Sequence, residues 1–314
     1  MVNIISGLRM NVDLKTLELF CTVAEELSIT LAAQRLGRAP SNVTTRIQQL
    51  EKELKVTLFL RHSKRLHLSQ QGEQFLVYAK RILAVAEEAQ QVLHPGKPGG
   101  LLRIGSMEST AASRLPSPLA KYHRRWPEVT IQLTTGPSRQ MLESLQDRTI
   151  DCALVAMSPG REGYDSSNFS SMGLVGQPIF KEELMLVLPA GHPPVDSASD
   201  IAVSSLAAFR RGCTYRAIAE DWFRKGLDES STAPNIQEVG SYHAMIACAA
   251  AGTSISLIPR SVLELLREPV EIEQVLLTEI DTWMVWREGY ETPAFNELYG
   301  ILTDMSASEP ILGK

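Results

Sequence analysis

The chain holds 314 residues with a formal net charge of -5, 44% hydrophobic and 21% charged side chains, the balance of an ordinary soluble globular protein long enough for two or three domains. No apolar run reaches the roughly 18 to 20 residues needed to cross a bilayer, and the opening MVNIISGLRM lacks a signal peptide's apolar core, which points to the cytoplasm. Four widely spaced cysteines, Cys21, Cys152, Cys213 and Cys248, form no CxxC pair and argue against a disulfide framework of the secreted kind.

The charge is unevenly placed. Residues 1–70 hold ten Lys and Arg against six Asp and Glu, or +4; residues 71–314 hold 21 against 30, or -9. A basic front on an acidic body predicts that the front alone meets a polyanion.

Helical spacing begins at DLKTLELFCTVAEEL, where Asp13 is placed to cap and Leu14, Leu17, Phe20, Val23, Ala24 and Leu27 recur on one face. Ser28 opens a short second helix, SITLAAQRLG, which Gly37 ends in a left-handed conformation. A third helix, APSNVTTRIQQLEKEL, takes Pro40 in its first turn and turns Val43, Ile47, Leu50 and Leu54 inward. Its opposite face carries Ser41, Asn42, Thr44, Thr45, Gln48 and Gln49, with no carboxylate before Glu51. Short hydrogen-bonding side chains at the start of such a helix reach base edges in a major groove, whereas in an isolated helix a solvated face explains the same composition. Helix, short helix, glycine turn and third helix together make a helix-turn-helix, and that context favours base reading. Thr30, Pro40 and Arg46 join the candidate DNA contacts.

Behind this motif, TLFLR and RLHLS alternate around HSK and predict a hairpin with Arg61, His62, Lys64 and Arg65 at its tip. Beside a recognition helix such a hairpin is a wing placed for phosphate or minor-groove contacts, giving a winged helix-turn-helix over 13–70. Residues 71–93 predict one long helix in which Phe75, Ala79, Ile82, Ala86, Ala89 and Leu93 recur at heptad steps. It is read as a linker that pairs with its twin, since a dimer supplies the two-fold symmetry of an inverted-repeat DNA site; packing against its own domain is the alternative. HPGKPGG (94–100) breaks the chain and marks a hinge.

Residues 101–314 alternate strand and helix. LLRIGSM, VTIQLTTG and DCALVAM read as strands, STAASRLPSPLAKYHRRW as a helix interrupted by prolines and SRQMLESLQDRT as a second helix, which predicts an α/β unit on a mostly parallel sheet. The rhythm restarts with EELMLVLP, AAFRRG, CTYRAIAEDWFRKG, NIQEVG, SYHAMIACAAAG, TSISLIP, RSVLELLRE and TWMVWRE, so two lobes with a cleft between them are expected. Ligands of open α/β sheets bind beyond the carboxyl ends of the strands, where helix N-termini present free N–H groups. Four such junctions carry small polar residues: Ser106, Ser109 and Thr110; Thr135, Gly136 and Ser138; Cys213, Thr214 and Arg216; Ser241, Tyr242 and His243. Each alone suits helix capping. Their recurrence at one topological position predicts a polar cleft for a small effector, an amine- or carboxylate-bearing metabolite.

The stretch SITLAAQRLGRAPSNVTTRIQQLEKELKVTLFLRHSKRLHLSQQGEQFL resembles the DNA-binding signature of the LysR-type transcriptional regulators. Ala32-Ala33, Leu36-Gly37, Leu50-Glu51, Leu58-Phe59 and the LSQQG turn fall in register, and the likeness runs from about Asp13 to the C-terminal region. The resemblance implies a DNA-binding regulator and no enzyme: a winged helix-turn-helix, a linker helix joining a dimer or a dimer of dimers, and a two-lobed, periplasmic-binding-protein-like effector domain over 101–314. It also implies that residues 1–12 are an extension, with Met10 an alternative start. Pro40-Ser41-Asn42 departs from the family's common opening of the recognition helix, so another member's operator preference does not carry over. Within the family, SMESTAASRLP, TTGPS, FRRGCTYR and SYHAMIACAAAG look most like a subgroup linked to putrescine and 4-aminobutyrate utilisation.

An enzyme or a transport-type binding protein on the same two lobes is the rival class. GxSxG, GxxxxGK, GxGxxG and HExxH are absent, and the six histidines lie without metal-ligand spacing; no cofactor or metal is expected. Cys213 raises a redox alternative, because a thiol at a helix N-terminus beside Arg210, Arg211 and Arg216 is expected to have a lowered pKa. The family's peroxide-sensing branch uses a partner cysteine about nine residues downstream, where Asp221, Trp222 and Phe223 stand here. Cys213 is therefore assigned to the cleft wall.

Overall fold

The computed structural model describes residues 12–62, 65–93, 96–157, 168–226 and 233–308, and the chain divides into two compact units after Leu93. Residues 1–11 of the expected extension, Lys64 at the hairpin tip and His94-Pro95 of the expected hinge lie outside the described residues.

In the first unit α1 (Leu14–Glu26) starts where the Asp13 carboxylate accepts from the Thr16 N–H at 2.7 Å, and α2 (Ile29–Arg35) where the Ser28 hydroxyl accepts from Leu31 at 3.3 Å. Each acceptor meets one of the N–H groups that a helix start leaves unpaired. Past α2, Gly37 takes a φ of +63°, which costs glycine nothing and turns the chain into α3 (Pro40–Leu54). Leu19, Phe20, Val23, Val43, Ile47 and Leu50 bury their side chains together, with the Phe20 ring 5.5 Å from Phe59 and 5.0 Å from Phe75. The wing follows as expected: β1 (Phe59–His62) pairs antiparallel with β2 (Arg65–Leu68), Phe59 opposite Leu68. Glu51 fixes it to α3, its carboxylate accepting from the Leu58 and Phe59 N–H groups at 2.7 and 3.1 Å. Ser69 closes the other side. Its hydroxyl donates to the Thr57 carbonyl at 2.5 Å and caps α4 (Gln70–Val92) by accepting from the Gly72 N–H at 2.9 Å.

Along α4 the expected heptad row is divided between two tasks. Phe75 and Ala79 pack into the first unit's own core, Ala79 fully buried, because the Phe75 ring is needed against Phe20. The exposed large apolar side chains are Val77, Tyr78, Ile82, Val85 and Val92, with Leu93 just past the helix. Ile82 and Leu93 belong to the row read off the sequence, and Tyr78, Ile82, Val85 and Val92 make a second heptad-spaced row that crosses it at Ile82.

The second unit is built on a mixed sheet, where a mostly parallel one was expected. β3 (Gly100–Ser106) pairs parallel with β4 (Val129–Thr135) and β5 (Cys152–Ala156). Beside β5 runs β10 (Ile272–Arg287), antiparallel to it and to the whole of β6 (Leu174–Pro189); β9 (Ser256–Pro259) closes the edge, giving the order β4-β3-β5-β10-β6-β9. β6 and β10 hold 16 residues each, roughly 50 Å at about 3.3 Å per residue, so one pair of strands serves both lobes. Register shifts interrupt the ladder between Leu276 and Thr278 and between Thr282 and Trp283. The parallel pair β7 (Ser205–Ala208) and β8 (Asn235–Glu238) extends the second lobe through the Leu206–Ile255 bridge.

Helices pack on these strands. α5 (Glu108–Ser113) and α6 (Pro116–Arg125) replace the single interrupted helix, Pro116 starting the second of them. α7 (Ser138–Gln146) follows β4, α8 (Thr214–Gly226) follows β7, α9 (Tyr242–Ala250) follows β8 and α10 (Arg260–Leu263) follows β9. The last helix, α11 (Pro293–Ser308), fills the core with Phe295, Leu298, Ile301 and Leu302. No helix among the described residues is long and apolar enough to cross a membrane.

Candidate functional site

On the first unit, burial of Val43, Ile47 and Leu50 fixes how α3 is turned. Ser41, Asn42, Thr45, Arg46 and Gln49 are left exposed along one open concavity. Thr44 is half-buried. The Thr44 and Thr45 hydroxyls donate back to the Pro40 and Ser41 carbonyls at 2.9 Å, so each presents a methyl group and acceptor lone pairs but no free proton. That is the complement of a thymine methyl or of an exocyclic amine on cytosine or adenine. Thr30, Pro40, Arg61, His62 and Arg65 are all exposed. A second concavity joins Ser28 and Ile29 to Arg61, Arg65 and His67 across the hairpin. His67 is absent from the residues picked out by sequence because it lies inside β2, away from the hairpin tip.

In the second unit a cavity of about 180 Å³ opens where strand-to-helix junctions of the two lobes converge. Thr135, Gly136 and Ser138 ahead of α7, Cys213 and Thr214 ahead of α8 and Tyr242 at the start of α9 line it. The Thr214 hydroxyl lies 3.0 Å from both Ser138 Oγ and the Ala156 carbonyl, locking two junctions together. The remaining expected residues stand elsewhere. Ser106 is buried and donates to the Met107 carbonyl at 2.9 Å; Ser109 and Thr110 are buried on α5, the Ser109 hydroxyl beside those of Tyr215 and Tyr242. His243 is exposed and outside the cavity lining. Ser241 caps α9, its hydroxyl accepting from Ala244 at 3.2 Å.

Arg216 is placed differently from the cleft role expected of it. Its guanidinium donates to the Phe209 carbonyl at 3.0 Å, to Glu238 at 2.6 Å and to Glu220 at 2.8 Å, so it ties α8 to the ends of β7 and β8 and does not line the main cavity. The cavity's other walls come from Met107, Glu108, Phe209, Arg210 and Tyr215, none of them anticipated. A search for small polar junction residues passes over the large side chains beside them.

Cys213 also departs from expectation. Burial pushes its thiol above the ordinary value; N–H groups of Arg216 and Tyr215 and the Arg216 charge act the other way without offsetting it. Arg216 is already engaged by two carboxylates, which explains why a cation so close activates so little. Cys21 is pushed up to about 11, again by burial. Alkylation by iodoacetamide at pH 8, followed by mass spectrometry, is expected to modify Cys213 several-fold more slowly in the native protein than in urea; equal rates would contradict its burial.

Buried polar groups gather around the cavity. The Tyr215, Ser109 and Thr282 hydroxyls lie against one another, while Glu108 Oε2 is buried without a partner, which costs about 1–3 kcal/mol if nothing meets it. Nearby, Glu182 on β6 is 2% exposed and bridges the lobes. It accepts from Arg114 Nε at the end of α5 at 2.7 Å and from Ser261 Oγ on α10 at 2.8 Å, and Ser113 Oγ lies 3.1 Å from Ser261 Oγ.

Comparison with known proteins places both units. Residues 14–73 match the bacterial regulatory helix-turn-helix proteins of the lysR family, and residues 95–307 match the LysR substrate binding domain. The HTH-type transcriptional regulator GltR of Bacillus subtilis (strain 168) is 38% identical over 256 residues, 81% of each protein. Among solved structures, a full-length OxyR variant from Pseudomonas aeruginosa superposes with a TM-score of 0.67 at 19% identity, covering 95% of both chains. Full-length CbnR in complex with its target DNA gives a TM-score of 0.65 at 22% identity, covering 94% of this chain and 100% of that one.

Proposed function

Because the chain belongs to the LysR family of bacterial transcriptional regulators, we propose a division of labour in which the first unit reads a promoter site and the second responds to a metabolite. The protein is a DNA-binding regulator with an effector-binding domain, not an enzyme. Acting in the cytoplasm, two recognition helices and two wings of a dimer grip a pseudo-palindromic site. Ser41, Asn42, Thr44 and Thr45 read base edges, with Thr30, Pro40 and Arg46 beside them; Arg61, His62, Lys64 and Arg65 hold phosphates. The single observation that carries this assignment is the exposed, carboxylate-free face of α3 between Ser41 and Gln49. The exposed row Tyr78, Ile82, Val85 and Val92 supports pairing through α4.

A gel shift on DNA upstream of the gene and its neighbours tests the reading, and absence of any specific shift would sink it. Within that assay Arg65→Ala is expected to lower the slope of log affinity against log salt by about one. An unchanged slope removes Arg65 from the phosphate contacts.

The effector occupies the cavity of the second unit, its anionic end at Ser138, where the N-terminus of α7 lines the space and Arg210 stands beside it. Cys213 serves as wall. Against the redox alternative stand the half-buried Cys213 thiol, pushed above its ordinary value, and Asp221, Trp222 and Phe223 at the partner position. Ligand-driven closure of the lobes changes the spacing of paired dimers on DNA, by no more than the effector's differential affinity for the two arrangements. Four cleft segments remain the whole support for kinship with the putrescine and 4-aminobutyrate subgroup, and the identity of the effector is left to the cavity's own chemistry.

A further inference from the structure

We propose that Glu108 and the aromatic walls of the cavity form a cation subsite, so that the effector carries an ammonium nitrogen; the inference rests on the reading of this cavity as the effector site. Glu108 lines the same 180 Å³ space as Phe209, Tyr215 and Tyr242, with Phe209 and Tyr242 edge to face at 4.9 Å and 89°. Aromatic rings attract a desolvated ammonium through their quadrupoles, and a carboxylate beside them supplies the hydrogen-bond acceptor and the counter-charge.

Nothing in the chain already fills that role. Glu108 Oε2 is buried without a hydrogen-bond partner. Burial pushes the Glu108 carboxyl above its ordinary value, offset only in part by His243, as befits an anion awaiting a counter-ion. Of the neighbouring cations, Arg114 is held by Glu182, Arg210 reaches the neutral Gln140 amide on α7 at 2.8 Å, and His243 offsets the burial of Glu108 only in part. The two ends of the effector are thereby distinguished, an anion at the start of α7 and a cation against Glu108.

Calorimetric and thermal-shift titrations of the full chain test this with three probe sets: short straight-chain carboxylic acids bearing an amino group, the same acids with that nitrogen trimethylated, and the same acids without nitrogen. At least one nitrogen-bearing series is expected to bind about tenfold or more tightly than the nitrogen-free acids. Glu108→Gln should abolish most of that advantage while leaving nitrogen-free binding within about twofold, and Glu108→Asp, which keeps the charge, should restore part of it. The second unit's urea transition in the unliganded variants serves as the folding control. Equal binding of nitrogen-free acids, an advantage that survives Glu108→Gln, or no binding by either nitrogen-bearing series overturns the cation subsite. Thr135→Trp fills the cavity from its exposed rim; nitrogen-bearing acids that bind this variant as tightly as wild type place the effector elsewhere and overturn the cavity reading itself.

Discussion

Gly72→Ala is expected to unfold the winged unit and abolish DNA binding. A Cβ at this position would lie 2.1 Å from the Leu58 carbonyl oxygen and 3.0 Å from its carbon, well inside contact distance and against backbone. That oxygen cannot retreat freely, because it accepts from the Ser69 N–H at 2.8 Å. Next to it the Ser69 hydroxyl caps α4 and holds the Thr57 carbonyl, while Glu51 grips Leu58 and Phe59 from the other side. One methyl group therefore disturbs the root of the wing, the start of α4 and the clasp to α3 together, at an expected cost of about 3 kcal/mol or more. Urea denaturation followed by far-UV circular dichroism should show the first unit's transition moved to much lower denaturant while the second unit's stays in place. A wild-type transition with wild-type operator affinity would refute the argument.

Glu182→Ala is the second large effect. This carboxylate is 2% exposed and joins Arg114 and Ser113 of one lobe to Ser261 of the other. Removing it takes a charged acceptor from the partly buried Arg114 guanidinium and one from the buried Ser261 hydroxyl, a loss of about 3–5 kcal/mol by analogy with broken buried pairs. Glu182→Gln, which still accepts from Ser261, should cost less. Because α5 carries Glu108 at one end and Arg114 just past the other, the alanine variant should also blunt the effector-induced thermal shift while operator affinity without effector is retained. A second unit of unchanged stability would show that the bridge is incidental.

The parts of the molecule open to sequence reading are those set by neighbours in the chain. Asp13, Ser28, Gly37 and Pro40 mark helix ends by chemistry that acts over three or four residues, and the buried stripe of α3 follows from its period. Alternation of strand and helix likewise locates the junctions from which Thr135, Gly136, Ser138, Cys213, Thr214 and Tyr242 reach the cavity. What was not legible depends on distant partners. The outer parts of β6 and β10 are strands because they pair with each other about a hundred residues apart, not because Gln177, Lys181 or Glu273 favours an apolar run. Phe75 could have served either face of α4 until Phe20 claimed it. Arg216 was read from its neighbour Cys213, yet Glu238 across the lobe decides where it points. Glu108 was visible as the acid in SMEST, but its burial without a hydrogen-bond partner is a property of the folded cavity alone.

The two register shifts of the long ladder belong to opposite strands. At one, β10 carries the additional residue, since Leu276 faces Met185 and Thr278 faces Leu184; at the other it is β6, since Thr282 faces Phe180 and Trp283 faces Pro178. A slip on one strand alone would turn every side chain beyond it from core to solvent. Here the second slip cancels the first, and the two lobes keep a common phase. Only five pairs between them, Thr278–Leu184 to Thr282–Phe180, run out of step. Within that short window lie Glu182 and the buried hydroxyl of Thr282, polar groups that reach the interior without disturbing the alternation on which either core depends.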